Sequence, residues 1–217
     1  MMKRRFLFFV AYSALFALSA SLSMAQEKAA SSAQPLDSPA TPTAFGEKLH
    51  LEGIHNAGKA NGILYRGGQP KNEGALVQLK KLGVTTVVDL RGESREKMEW
   101  EQKQAEALGL RFVHIPVSGW SPPSDEQVAQ FLSLFRDDRA QKMYVHCLFG
   151  DDRTGVFVAT YRMAVEKWSP EQAMKEMYFF GFNGFWHPAM KAYIRKFPEH
   201  VGSSPALASL RAQRAAP

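Results

Sequence analysis

The 217-residue sequence predicts an α/β domain in which a largely parallel sheet lies between layers of helices. Two observations lead to this prediction. Short runs rich in β-branched and aromatic residues alternate with longer segments whose apolar residues recur at helical spacing. The first three helical segments also each separate two of the short runs, as is typical of parallel strands joined by helical crossovers. The sequence contains no internal repeat.

Three predicted strands and two predicted helices make up the first half of the domain. In order, they are a strand over 63–68, a helix over 71–83, a strand over 85–92, a helix over 94–109 and a strand over 111–117. Leu76, Leu79 and Leu82 lie on one face of the first helix. Gly83 and Gly109 end the two helices. The β-branched run TTVVDLRG predicts a strand buried on both faces.

The second half continues this alternation. It contains a helix over 125–135, a strand over 142–147, a helix over 155–165 and two further helices that begin near residues 169 and 187. Ser124 and Gln127 predict a capping box at the start of the first of these helices. Pro170 matches the proline that is favoured at the first position of a helix. The segment 155–165 is apolar nearly all round, so we expect a helix buried in the centre of the domain.

The first 25 residues have the pattern of a secretory signal peptide. A basic start (KRR) precedes an apolar run over 6–22, and small residues at positions 23 and 25 match a cleavage site after Ala25. Cleavage predicts a periplasmic or secreted protein with no stable membrane span. An uncleaved anchor is the alternative, because the run is near the lower length limit for a span.

The rest of the sequence predicts one folded domain over residues 46–200. Residues 26–45 are rich in Ala, Ser, Pro and Thr and predict a flexible linker, and residues 201–217 predict a disordered tail. Loss of the three basic residues of the leader lowers the formal net charge from +6 to +3. That surplus is too small to indicate a nucleic-acid partner or an anionic membrane, and the composition indicates no oligomeric state.

Cys147 is the only cysteine of the chain. It ends the strand 142–147, at the edge of the sheet where α/β folds bind ligands. A lone cysteine cannot form an internal disulfide, and an unpaired thiol in an oxidising compartment favours a chemical role over packing. The alternative is a small buried hydrophobic residue, which is a common role of free cysteine.

The loop that follows Cys147 has the composition of an anion-binding loop. Successive backbone N–H groups and the N-terminus of the next helix are able to surround one anion. Gly150 permits tight curvature, and Arg153 offers a planar fork to two phosphate oxygens. The same field favours the nucleophilic thiolate form of Cys147. The residues predicted to bind phosphate are Leu148, Phe149, Gly150, Asp151, Asp152, Arg153 and Thr154.

The segment HCLFGDDRTG (146–155) resembles the HCxxGxxRTG signature of cysteine-dependent protein tyrosine and dual-specificity phosphatases. The similarity extends to LYRGGQP (64–70) and VVDLRGE (87–93), and it is greatest to the compact bacterial and atypical dual-specificity branch. The resemblance implies a cysteine-phosphatase-like sandwich, nucleophilic attack by Cys147, a cysteinyl-phosphate held by Arg153, and no metal or other cofactor.

Two neighbours of the signature residues also have expected roles. Thr154 is expected to donate a hydrogen bond to the sulfur of Cys147, which would make the thiolate a better leaving group. By analogy with the family, His146 orients the loop; a histidine that is merely packed is the alternative.

The general acid is not where the family usually has it. The loop 116–124 carries Ser118 and Gly119 in place of the usual aspartate, and the first acid after it is Asp125, in the first turn of a helix. The structural alternative is that Asp125 only interacts favourably with the dipole of that helix.

The other candidate acids lie inside the phosphate loop. A carboxylate about 5 Å from a thiolate is repelled by about 3 kcal/mol at an effective dielectric constant of about 20, so at most one of Asp151 and Asp152 faces the anion. A carboxyl group that faces the anion has a raised pKa and is partly protonated, as a general acid must be. The DRT sequence also resembles that of myotubularins and bacterial KDRTG-type phosphatases, which implies a loop aspartate as the acid. Asp152 is the leading candidate, with Asp125 or a water as alternatives, and Asp151 is expected to be solvated.

Other residues near this edge of the sheet have two interpretations. Arg91 either contacts substrate or forms a structural ion pair with Asp89 or Glu93. Trp120 and Phe149 lie in predicted loops and are candidates to line a substrate pocket. Most of the other aromatic residues late in the chain are expected to be core; they are Phe179, Phe180, Phe182, Phe185 and Trp186.

The sequence therefore predicts an exported phosphomonoesterase that acts on phosphoproteins or on small phosphate esters, including phosphoinositides. The spacing does not decide among these substrates. A catalytically silent phosphate-binding module of the same fold is one alternative, favoured by the missing acid on the usual loop. A rhodanese-like sulfurtransferase is another, disfavoured by the Arg-Thr-Gly ending of the loop.

Overall fold

The computed structural model describes residues 45–137 and 141–215. The predicted signal peptide and all but the last residue of the predicted linker lie outside the described residues. None of the helices in the described ranges has the length and apolar character that are needed to cross a bilayer.

The described residues form a six-stranded mixed sheet, and the predicted α/β class is confirmed. Its strands are β1 (Glu47–Lys48), β2 (Gly58–Lys59), β3 (Leu64–Gly68), β4 (Thr86–Arg91), β5 (Arg111–Val117) and β6 (Met143–Cys147). The spatial order is β1-β2-β3-β6-β4-β5. The last four strands of that order pair in parallel as predicted, whereas β1 and β2 add an antiparallel edge that the sequence analysis missed. Each of these two strands has only two residues, too few to show a period-2 pattern.

Seven α-helices flank the sheet within the described residues. They are α1 (Glu73–Lys81), α2 (Arg95–Ala107), α3 (Asp125–Asp137), α4 (Asp152–Val165), α5 (Pro170–Phe179), α6 (Pro188–Ser203) and α7 (Ala208–Ala215). The predicted capping box at α3 is present: Gln127 donates its N–H to the Ser124 hydroxyl over 3.3 Å, and the Gln127 side chain accepts the Ser124 N–H over 2.8 Å. These reciprocal bonds satisfy two donors that a helix N-terminus otherwise leaves free.

The core has two layers because successive side chains of a strand point to opposite faces of the sheet. In β4, Val87 packs with the α1 side of the sheet and Val88 packs with the layer that contains α4. Helix α4 is buried on all sides, as its apolar sequence predicts. It starts directly after the loop that follows Cys147, so the residues at its N-terminus are held by the most buried helix of the domain.

The sequence predicts a disordered tail over residues 201–217, but the structure has helical segments over the described part, residues 201–215. Helix α6 continues to Ser203, and a 3₁₀ turn (Pro205–Leu207) leads into α7. Leu207 is fully buried in the core, and Arg211 donates hydrogen bonds to the carbonyls of Val201 and Ser204 over 3.0 and 2.8 Å. The low-complexity composition conceals this segment, because beyond Val201 only Leu207 and Leu210 among its described residues attach it to the core. Residues 216 and 217 lie outside the described residues.

Candidate active site

Cys147 ends β6, and the loop that follows it turns back over the end of β3. The thiol is buried, and the Gly150 N–H donates to Sγ over 3.3 Å. Gly150 has φ +85°, and a Cβ atom there would lie 2.3 Å from the Gly67 carbonyl carbon. Only glycine accommodates both the backbone angle and the contact. The glycine predicted to permit the curvature of the loop is thus required by the structure.

The two glycines that end β3 form the other side of this contact. A Cβ at Gly67 would lie 2.5 Å from the Tyr144 hydroxyl, and one at Gly68 would lie 3.1 Å from the Leu148 carbonyl oxygen. The Tyr144 hydroxyl also donates a hydrogen bond to the Gly68 carbonyl. The GG pair of LYRGGQP therefore lets β3 approach the phosphate loop closely enough to fix its shape.

Arg153 lies in the first turn of α4, and Glu93 holds its guanidinium. Nη1 and Nη2 donate to the two carboxylate oxygens of Glu93 over 2.7 and 2.8 Å, and Nη1 also donates to the Val117 carbonyl over 3.2 Å. Burial opposes the charge of Arg153, but the bond to Glu93 and the nearby Cys147 outweigh it and raise its pKa. The fork is therefore charged and fixed in plane. The sequence analysis gave Glu93 only as a possible partner of Arg91, and it missed the ion pair between Glu93 and Arg153.

Arg91 forms a buried ion pair with Asp89. Its Nε and Nη2 donate to Asp89 Oδ1 and Oδ2 over 2.9 and 2.8 Å, and Nη2 also donates to Glu101 over 2.6 Å. Of the two interpretations of Arg91, the structure has the ion pair and not a side chain free to contact substrate.

His146 belongs to the same buried network. Its Nε2 lies 2.8 Å from Glu101 Oε1, and its ring stacks on Tyr144 with 5.5 Å between centroids. Burial alone would lower the pKa of His146, but the carboxylates of Glu101 and Asp89 outweigh it and raise the pKa. These three residues bring donor atoms close enough to hold a metal ion. Both carboxylates already pair with Arg91 and lie against the His146 ring, and so we assign the cluster a structural role beneath the loop.

Thr154 differs from its expected contact. Its hydroxyl donates to the Gly67 carbonyl over 3.3 Å, where the sequence analysis expected a bond to the Cys147 sulfur. The hydroxyl instead ties α4 to the end of β3, because β3 approaches the loop closely at its two glycines.

The two loop aspartates have different surroundings. Asp151 caps α4 and accepts the Asp152 N–H over 2.9 Å. Asp152 is half-buried: its Oδ1 accepts the Asn183 N–H over 3.1 Å, and its Oδ2 lies 3.1 Å from His187 Nε2. Burial and the neighbouring Asp151 raise the pKa of Asp152 more than Asn183 and His187 lower it. Asp152 is therefore the carboxyl group of the loop whose pKa is raised above its ordinary value.

Asp125 lies at the start of α3 and contacts α6. It accepts a hydrogen bond from the Tyr193 hydroxyl over 2.9 Å, and it lies 3.1 Å from His200 Nδ1. Burial alone would raise its pKa, but hydrogen bonds from Tyr193, Ser204 and His200 outweigh this and lower the pKa of Asp125. A carboxylate held ionised in this way is poorly suited to donate a proton.

Exposed aromatic side chains surround the loop. Trp120 and Phe149, the predicted pocket residues, are 72% and 58% exposed. Trp120 packs against His187 with 5.5 Å between ring centroids, and His187 pairs with Asp152. Of the aromatic residues expected in the core, Phe180 and Phe182 are buried, and Phe179, Phe185 and Trp186 are exposed.

These features can be compared with known proteins. A family model described as "DSP-PTPase phosphatase fused to NAD+ Kinase" matches residues 49–191, from the segment after β1 into α6. The chain belongs to this dual-specificity phosphatase family. The match includes β3, β4, β6 and α4, the elements that build the phosphate loop and hold Arg153.

Curated relatives from this family match the chain over part of their own length. The dual specificity protein phosphatase TpbA of Pseudomonas aeruginosa (strain UCBPP-PA14) is 30% identical over 120 residues, which are 55% of this chain and 51% of TpbA. The probable chloroplastic NAD kinase 2 of Oryza sativa subsp. japonica is 33% identical over 106 residues, 48% of this chain and 11% of the plant protein. The chain thus spans about half the length of TpbA and a small part of the kinase.

Solved structures support the same family fold. The crystal structure of P. aeruginosa TpbA matches with a TM-score of 0.61 at 25% identity, over 81% of this chain and 99% of that chain. The core catalytic domain of the PP-IP phosphatase Siw14 from S. cerevisiae also has a TM-score of 0.61, over 76% and 96% of the two chains. Its identity is 16%, so this second likeness concerns the fold alone.

Proposed function

We propose that this dual-specificity phosphatase is an exported phosphomonoesterase that works through a cysteinyl-phosphate intermediate. The observation that supports this most directly is the position of Cys147. Its thiol lies at the end of a buried strand, accepts the Gly150 N–H and is followed by a guanidinium fork held in plane by Glu93. A thiol, converging donors and a fixed planar cation suit a tetrahedral phosphate.

The reaction has two steps. The Cys147 thiolate attacks phosphorus and the bond from phosphorus to the ester oxygen breaks, while Asp152 gives its proton to the leaving oxygen. A water molecule then attacks phosphorus, the phosphorus–sulfur bond breaks, and Asp152 takes a proton from that water. Arg153 binds two phosphate oxygens throughout. The raised pKa of Asp152 supports this acid–base role.

We propose phosphorylated proteins as the leading substrates. A solved TpbA structure at 24% identity is a complex with phosphotyrosine, and the exposed Trp120 and Phe149 offer apolar surface to an aryl group. Small phosphate esters are the second candidates. They are favoured by the human phosphatidylglycerophosphatase and protein-tyrosine phosphatase 1, which is 34% identical over 77 residues.

One experiment separates the candidate functions. The domain is incubated with p-nitrophenyl phosphate, with and without vanadate, beside a Cys147→Ser variant. We expect vanadate-sensitive hydrolysis by the wild-type protein and none by the variant, because serine is a far weaker nucleophile in this setting. Vanadate binding without turnover would favour the silent module, and cyanide-dependent use of thiosulfate would favour a sulfurtransferase. Undiminished activity of Cys147→Ser would contradict the mechanism.

A further inference from the structure

Arg66 is a buried cation that the mechanism does not yet use. It lies on β3, directly before the Gly67–Gly68 pair, and only 1% of it is exposed. Its Nη2 donates to the Gly150 carbonyl over 2.6 Å, and its guanidinium carbon lies 4.1 Å from the centre of the Phe180 ring. Nε and Nη1 are buried and have no hydrogen-bond acceptor among the described residues.

A second buried arginine shows how unusual this is. Arg162 is 2% exposed and also lies against an aromatic ring, that of Trp168, but it bonds the carboxylates of Glu176 and Glu166. Within the described ranges, no carboxylate lies at ion-pair distance from Arg66. A buried charge without a contacting carboxylate is costly, so its presence calls for a nearby negative charge that offsets it.

The groups around Arg66 identify that anion. Burial lowers the pKa of Arg66 to about 10, so it remains a cation near neutral pH. The ionisable groups that face it are Glu176 on α5, Asp151 in the loop, and Tyr144 and Cys147 on β6. Glu176 already bonds Arg162, and Asp151 caps α4. The Cys147 thiolate, together with the phosphate of a substrate when it binds, is the negative charge that remains.

The bond to Gly150 also fixes the loop backbone. The Gly150 carbonyl accepts from both Arg66 and Asn56, over 2.6 and 3.1 Å. In a trans peptide the N–H of the next residue points opposite to the carbonyl. With its carbonyl held towards β3, this peptide turns the Asp151 N–H away from β3, as an anion-binding loop requires.

We propose that Arg66 is a positioning residue of the phosphate loop: it fixes the Gly150 peptide and places a buried positive charge behind the Cys147 thiolate. This inference rests on the proposed function. Arg66 touches neither sulfur nor phosphate. It acts on Cys147 indirectly, by fixing the loop backbone and by the electrostatic field of its positive charge.

The test compares Arg66→Met, Arg66→Lys and the control Arg162→Met in the full chain. Alkylation by iodoacetamide reports on the thiolate, and the adduct is unambiguous because Cys147 is the only cysteine. We expect Arg66→Met to slow alkylation at about pH 6 by about tenfold, and to weaken vanadate binding by about tenfold. Its melting temperature should stay equal or rise, because an unpaired buried charge is gone. Arg162→Met should melt lower, because Glu176 loses its partner, with alkylation unchanged.

Arg66→Lys separates charge from geometry. Lysine keeps the positive charge but not the planar fork, so alkylation should stay within about threefold of wild type while vanadate binding falls about tenfold. Wild-type alkylation and vanadate affinity in Arg66→Met would overturn the proposal. If that variant does not fold, wild-type vanadate affinity in Arg66→Lys would overturn it. Alkylation needs no turnover, so a protein that hydrolyses no phosphate ester would refute the proposed function and still allow Arg66 to be tested.

Discussion

At the scale of single residues, Arg153 is prepared for a bidentate ligand before any anion arrives. Glu93 accepts one N–H from each terminal nitrogen and the Val117 carbonyl accepts a second from Nη1, which leaves Nε and one N–H of Nη2 for two phosphate oxygens. We expect Arg153→Lys to lower kcat/KM by about 10²–10³-fold, because an ammonium cannot supply two parallel bonds from one plane. Steady-state kinetics on p-nitrophenyl phosphate measures this. The exposed Arg95→Lys is the matched control, and a kcat/KM for Arg153→Lys near that of the control would contradict the geometry.

Asp152 carries the prediction for pH dependence. Its raised pKa means that the protonated form, which gives the proton, is lost as pH rises through that pKa, so the rate should fall on the basic side. Asp152→Asn should flatten this basic limb and lower kcat by about 10²–10⁴-fold on alkyl phosphates. The loss should shrink on p-nitrophenyl phosphate, whose leaving group needs little protonation.

Asp125→Asn is the control for that experiment. Asp125 is held by α6 and has a lowered pKa, so its loss should leave the dependence on the leaving group unchanged. A loss that depends on the leaving group in Asp125→Asn but not in Asp152→Asn would reverse the two roles.

The site residues that could be predicted from the sequence are those that lie close together along the chain. Cys147, Gly150 and Arg153 follow one another between a strand and a helix, so their spacing indicates the anion site. Glu93 lies 60 positions from Arg153 and His187 lies far beyond Asp152, and only the fold brings each pair together. No periodic pattern marks such contacts. The sequence shows an arginine at position 66 within a predicted strand, but it does not show that this arginine lacks an anionic partner.

At the scale of elements, strands and helices with six or more patterned residues were predicted close to their observed bounds. The strand RFVHIPV was predicted at the residues that form β5. The errors concern elements that tertiary packing stabilises and no periodic sequence pattern marks. They are the two-residue strands at the edge of the sheet and a C-terminal segment whose composition resembles a linker. In that segment Leu207 is buried in the core and Leu210 packs against it.

The C-terminal segment yields a test of this packing. Leu207→Ala should lower the free energy of unfolding by about 2–5 kcal/mol, because it empties a fully buried site. Urea denaturation measures the change. Val165→Ala, at an exposed position at the end of α4, should cost far less. Equal stability of Leu207→Ala and wild type would mean that this segment does not belong to the folded domain.

At the scale of the whole molecule, the remaining prediction concerns export. Residues 1–25 have the pattern of a cleaved leader, and we expect a mature chain that begins at Gln26 and lies outside the cytoplasm. N-terminal mass spectrometry of the protein from fractionated cells measures this. A cytoplasmic protein with an intact Met1 would contradict export and leave the chemistry of Cys147 unaffected.

Helix α4 carries Arg153 in its first turn and is buried from there to Ala164. A helix in that position cannot open to solvent unless the whole domain unfolds, so its amide protons should exchange only through global unfolding. Residues 181–187, which contact Asp152 through Asn183 and His187, are different, since Phe185 and Trp186 among them are largely exposed. Heating should therefore leave phosphate binding intact until the domain melts. Proton transfer from Asp152 should be lost at a lower temperature, when residues 181–187 open locally.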